Sequence, residues 1–229
     1  MRDLPIPWIA HAQAALDLRR KDRVLLCMPN TVAAAQAVAA LIGDDGRLVV
    51  LEPDRRTAAA IARAMPQAEV ITQSPRDHRY GFFDAVLATP LAAPLPQLAD
   101  LAAMLRANLR PGGRFVIDLP GETMLPALQQ AAANVSPECA QRIVAALSGV
   151  AEAELCAALK LAGLRRTELL LGTHLLNLAS PLELLDLAAL MIPLDERERM
   201  DLGDALLRTL GATSNCEALA QRSAVVGLR

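Results

Sequence analysis

The chain has 229 residues, 53% of them hydrophobic, which is enough to bury a large core and excludes global disorder. Aromatic residues make up only 2%, while Ala and Leu together fill about 85 positions. Twenty-three Lys and Arg against 25 Asp and Glu give a formal charge of −2, without the basic excess expected of a nucleic-acid binder.

Residues 8–19 read as a helix with Trp8, Ala12, Ala15 and Leu16 on one face. Residues 23–28 form a short apolar run, the pattern of a strand buried on both faces. A helix of small residues follows over 31–42, capped by Asn30 or Thr31, then a turn over 43–46. A second buried strand, 47–52, ends in Glu52, and Pro53 and Asp54 open a helix over 55–65. Strands are predicted over 69–72 and 82–88, with a polar loop between them. A helix over 98–109 breaks at Pro111-Gly112-Gly113, and a fifth strand covers 114–119. Strands alternating with helices predict an α/β protein with a parallel sheet, whose ligands bind beyond the carboxyl ends of the strands.

After residue 120 the rhythm changes. Helices are predicted over 123–133, 137–147 and 152–161, the last stopped by Gly163. A strand over 166–171, helices over 182–191 and 195–210, and a strand over 223–228 complete the chain. Without an internal repeat or a low-complexity linker, residues 1–229 read as a single domain with helical inserts at about 121–150 and 179–211.

The longest apolar stretch, 32–42, falls well short of the roughly 20 residues that a membrane span needs. Arg2 and Asp3 near the start, and no long apolar core after them, do not make a secretory signal. Cys27, Cys139, Cys156 and Cys216 lie far apart without a Cys/His cluster. The expectation is a cytoplasmic protein with buried thiols and no metal site.

The order of these signals resembles the class I S-adenosylmethionine (SAM) dependent methyltransferases, over about residues 8–229. The resemblance is carried by the strand 24–28, by Val49-Val50-Leu51-Glu52, and by Phe83-Asp84-Ala85-Val86-Leu87. Leu109-Arg110-Pro111-Gly112-Gly113-Arg114-Phe115, Leu161-Ala162-Gly163-Leu164 and Ala224-Val225-Val226 complete it. It implies a doubly wound, mostly parallel seven-stranded sheet with an antiparallel last strand and helices on both faces. It also implies SAM as cofactor and a small-molecule methyl acceptor, with inserts like those of the trans-aconitate and biotin-pathway enzymes. Its cofactor contacts would fall on Cys27, Met28 and Asn30 in the first loop, on Glu52 and Pro53 after strand two, and on Gln73 and Ser74 after strand three. Glu52 would take the ribose hydroxyls and Gln73 the adenine amino group. The first loop departs from the family's pattern. Leu26 stands at its acid, and Met28, Asn30 and Val32 stand at its three glycines. Of these only Asn30 tolerates a left-handed backbone at modest cost, and Val32 resists it.

Among catalytic candidates, His78 carries an imidazole that could serve as a general base and has Asp77 beside it. Asp118 is expected at the end of strand five, pointing to the crevice. His11 lies on the first helix, and His174 is expected after strand six, away from the site. No GxSxG or GxxxxGK[ST] occurs, so a hydrolase triad and a phosphate loop have no support. Two readings remain open. One is methyl transfer from SAM to a small molecule. The other is an inactive pseudo-methyltransferase that serves as a structural or regulatory partner or binds another ligand. Neither nucleic acid nor membrane is an expected partner. The apolar stretch 182–194 is expected to bury itself against the inserts or in a homodimer or protein interface.

Overall fold

A computed structural model describes residues 7–73, 78–89, 98–148, 152–211 and 216–229. Helix α1 (Pro7–Leu16) ends at Asp17, whose φ of 49° turns the chain away. Strand β1 (Arg23–Cys27) is buried on both faces, Val24 and Leu26 on one side and Leu25 and Cys27 on the other. Helix α2 (Val32–Ile42) starts where the Thr31 hydroxyl accepts the Ala34 N–H at 3.2 Å. Strand β2 (Arg47–Leu51) follows, and Asp54 caps α3 (Arg55–Ala64) by accepting the Thr57 N–H at 2.7 Å. Strands β3 (Glu69–Ile71) and β4 (Phe83–Ala88), helix α4 (Leu98–Asn108) and strand β5 (Leu109–Met124) continue the alternation.

Helices α5 (Pro126–Ala133), α6 (Pro137–Leu147) and α7 (Glu152–Leu161) come next, with no strand among them. Strand β6 (Arg165–Leu178), helices α8 (Leu182–Met191) and α9 (Glu196–Leu210), and strand β7 (Cys216–Leu228) close the fold. Asp195 and Glu198 form a reciprocal capping box at the start of α9.

The strands make one seven-stranded sheet in the order β3-β2-β1-β4-β5-β7-β6. The first five are parallel, and β7 runs antiparallel to both β5 and β6. Helices α1, α2 and α3 cover one face of the sheet, and α4 and α7 cover the other. A third core joins α5, α6, α8 and α9 to the far ends of β6 and β7. Leu184, Leu185, Leu187 and Ala188 of α8 are buried there, while Leu182 at its start is 43% exposed.

Three strands run beyond their predicted limits. β5 begins at Leu109, bulges through Arg110–Gly113 with Gly112 at φ 75°, and continues to Met124. The first insert helix therefore starts at Pro126 rather than at 123, after Leu125 turns left-handed at φ 51°. β6 and β7 extend each other, pairing from Arg165↔Leu228 to Leu178↔Cys216. Cross-strand pairing carries residues 216–222 into the sheet although Ala, Glu and Gln there favour helix. Val32 is the first residue of α2, with no left-handed strain to resist.

Among the described residues no helix is long and apolar enough to cross a membrane, and no group of His, Cys, Asp and Glu could hold a metal ion.

Candidate functional site

The crevice expected of this sheet lies at the carboxyl ends of β1, β2 and β4. There the Met28 N–H donates to the Leu51 carbonyl at 2.7 Å, and the Thr89 N–H donates to the Cys27 carbonyl at 3.0 Å. Met28 and Asn30 both take left-handed backbones, with φ of 55° and 61°. The loop thus turns twice in the glycine-favouring region without a glycine. Asn30 suits this, because its short amide can bond locally. Its side-chain NH2 donates to the Met28 carbonyl at 2.5 Å and to the Thr89 carbonyl at 2.8 Å. The Thr89 hydroxyl donates to the same Met28 carbonyl at 3.1 Å. One asparagine therefore bridges the end of β1 to the end of β4.

Glu52 closes the other side. One carboxylate oxygen accepts the Asn30 N–H at 3.1 Å, and the other accepts the Asp54 N–H at 3.0 Å. The residue is only 3% exposed. Burial pushes its carboxyl above the usual range, partly offset by those two N–H donors.

The residues expected around a cofactor divide accordingly. Met28, Asn30 and Glu52 meet in one network, joined by Asp54, the helix-opening residue, and by Thr89, which had no signal beyond its place after a strand. Cys27 contributes its carbonyl, while its thiol is buried among the residues under α4 and held protonated by that burial. Pro53 is exposed beside the network. Gln73 is exposed and accepts the Tyr80 hydroxyl at 3.4 Å. Ser74 and Asp77 lie outside the described residues.

Of the two catalytic candidates, His78 sits away from this network. The exposed His78 packs edge-on to Tyr80 with ring centroids 4.9 Å apart. Its carbonyl accepts the Asn108 side-chain N–H at 2.7 Å. Asn108 ends α4, so His78 is tied to the pole where β4 and β5 begin, opposite the crevice. Asp118 does not end β5, which runs on to Met124, but it follows Ile117, the partner of Ala88, and so lies level with the carboxyl end of β4. It is 1% exposed and forms an ion pair with the equally buried Arg222. The guanidinium donates to the carboxylate at 2.8 and 3.0 Å and to the Asp118 carbonyl at 2.9 Å. Burial raises the Asp118 carboxyl, opposed by Arg222 and more weakly by His11. His174 lies within β6, not after it, with its ring edge-on to that of His11 at 5.7 Å. A Cβ on Gly172 would fall 2.8 Å from the His174 ring and 3.3 Å from that of His11, so glycine makes room for the pair.

The strand order, the antiparallel β7 and the helices on both faces define the class I SAM-dependent methyltransferase fold. Solved structures agree over nearly the whole chain. A candidate methyltransferase from Bacillus halodurans is similar with a TM-score of 0.63 at 13% identity, covering 96% of this chain and 97% of that one. The 4+2 cyclase SpnF is similar at 0.60 and 12% identity, over 96% and 80%. Aeropyrum pernix fibrillarin, solved with natively bound SAM, is similar at 0.51 and 15% identity, over 96% and 73%. No protein-family description and no curated protein matches the sequence.

Proposed function

We propose that this chain is a methyltransferase-fold protein that does not use SAM and acts as a binding or structural partner. The observation that carries the reading is the Asn30–Glu52–Thr89 network. A ribose would need the Glu52 carboxylate, yet both of its oxygens hold backbone N–H groups and almost none of it is exposed. A cofactor lying along the first loop would need the span that the Asn30 amide crosses. The burial of Glu52 and the amide bridge across the first loop support a reading without SAM. The cyclase among the similar structures agrees with the general rule that a fold does not fix its chemistry.

Calorimetric titration with SAM tests this. No saturable heat is expected up to millimolar SAM. Saturable heat that disappears in Glu52→Ala would overturn the reading in favour of methyl transfer to a small molecule. That second reading has its own support: the acid at the end of β2 is present, and the loop keeps its left-handed turns.

A further inference from the structure

The two edges of the sheet are unlike. β3 is three residues long, and Glu69 at its start is paired with Arg47 at 2.8 Å. A short, charged strand is a common way to blunt an edge. β6, at the other edge, has 14 residues and pairs with β7 alone among the described strands. From Leu169 to Leu178 it contains no Asp, Glu, Lys, Arg or Pro. Its one register shift lies before that stretch, between Arg166 and Glu168. On one face of the strand Leu171 is 65% exposed and Leu175 is 56% exposed, with exposed Thr173 between them. α7 packs against the beginning of this face, where Leu169 joins the core of Leu155, Leu159 and Val225. No described helix has a buried side chain against Leu171 or Leu175. A long apolar edge without charge or proline is a template for another strand.

A second copy of the same strand fits this spacing. Antiparallel self-pairing places residue i opposite a fixed partner j and j opposite i, the rule of an isologous contact. With Thr173 on the axis, Leu171 of each copy lies opposite Leu175 of the other. Leu169 then meets Asn177, and Gly172 meets His174, a small residue facing a ring. No charge opposes a like charge anywhere from 169 to 177. We propose that β6 is a dimer interface in which two copies of this chain pair antiparallel about a two-fold axis at Thr173, joining two sheets into one. The interface is independent of whether the crevice accepts SAM.

The test uses the full chain. Sedimentation across the micromolar range should give a dimer, and Leu175→Lys should weaken it about 100-fold, since two buried leucines are lost per dimer. Leu175 is solvent-exposed in one copy, so the variant should keep its circular dichroism. Thr173→Cys in a Cys156→Ser background should form an intermolecular disulfide on mild oxidation. Directly opposed residues lie about 4.5 to 5.5 Å apart, within the span of a disulfide. Leu171→Cys should link efficiently to Leu175→Cys and poorly to itself. A chain that stays monomeric throughout overturns the proposal. So does a folded Thr173→Cys variant that resists both oxidation and thiol labelling, because part of the same chain would then cover the edge.

Discussion

Asn30 does two jobs that no other side chain in its place could combine. It accepts a left-handed backbone at φ 61°, and its amide reaches two carbonyls on different strands. Asn30→Ala should lose both bonds and add left-handed strain, destabilising by about 2 to 3 kcal/mol. Asn30→Gly should lose the bonds without the strain and cost about 1 kcal/mol less, as read by urea unfolding. Glu52 gives a pH signature. Its folded carboxyl is raised by burial, so the folded state holds the proton at a pH where the unfolded chain has released it. Its contribution to stability is therefore full below the usual carboxylate range and is lost as pH rises through the folded value. Relative to Glu52→Gln, the native chain should gain stability as the pH is lowered from neutral, and parallel denaturation curves would measure this. Both residues were legible, Asn30 as an oddity in a loop without glycine and Glu52 as an acid closing a strand. Thr89 was not, because a threonine after a strand carries no mark of the carbonyl across from it. Arg222 was hidden for a related reason: it sits among residues that read as helix or loop until the partner strand is known.

Element boundaries were legible where local chemistry sets them. The start of α6 at Pro137, the extent of α8 and the acidic start of α9 follow from caps and apolar spacing. The lengths of β5, β6 and β7 were not, because they are set by each other. Alternation in β7 does record it after the fact: Cys216, Ala218, Ala220 and Arg222 are buried while the residues between them are partly exposed. These three strands depend on one close approach. A Cβ on Gly227 would lie 2.2 Å from the Phe115 ring and 2.5 Å from the Arg165 carbonyl. Phe115 is fully buried and the carbonyl is backbone, so neither can yield cheaply. Gly227→Ala should cost about 3 kcal/mol. Gly112→Ala, with open space around the site but φ 75°, should cost only about 1 kcal/mol. Thermal melts of the two variants would separate crowding from backbone strain.

At the scale of the molecule, a parallel sheet body and a helical unit share the long antiparallel strands. The Asp118–Arg222 pair ties β5 to β7 with both residues 1% exposed. On the other side of that junction Arg142 of α6 reaches Glu198 of α9 at 2.5 Å. Arg222→Ala should destabilise the whole chain by about 3 to 5 kcal/mol, since it strands a buried carboxylate. Replacing both residues with apolar ones should recover most of that loss, and a double-mutant cycle by chemical denaturation would measure it. The first loop has a consequence of another kind. Its left-handed path at Met28 and Asn30 is imposed by its neighbours, since glycine is absent. The backbone thus takes a glycine-like route on residues that adopt it less readily. What spans the crevice is a side chain, and a side chain can be erased without redrawing the fold. The scaffold therefore offers turns already in place to anyone who wishes to build a binding site at the ends of these strands.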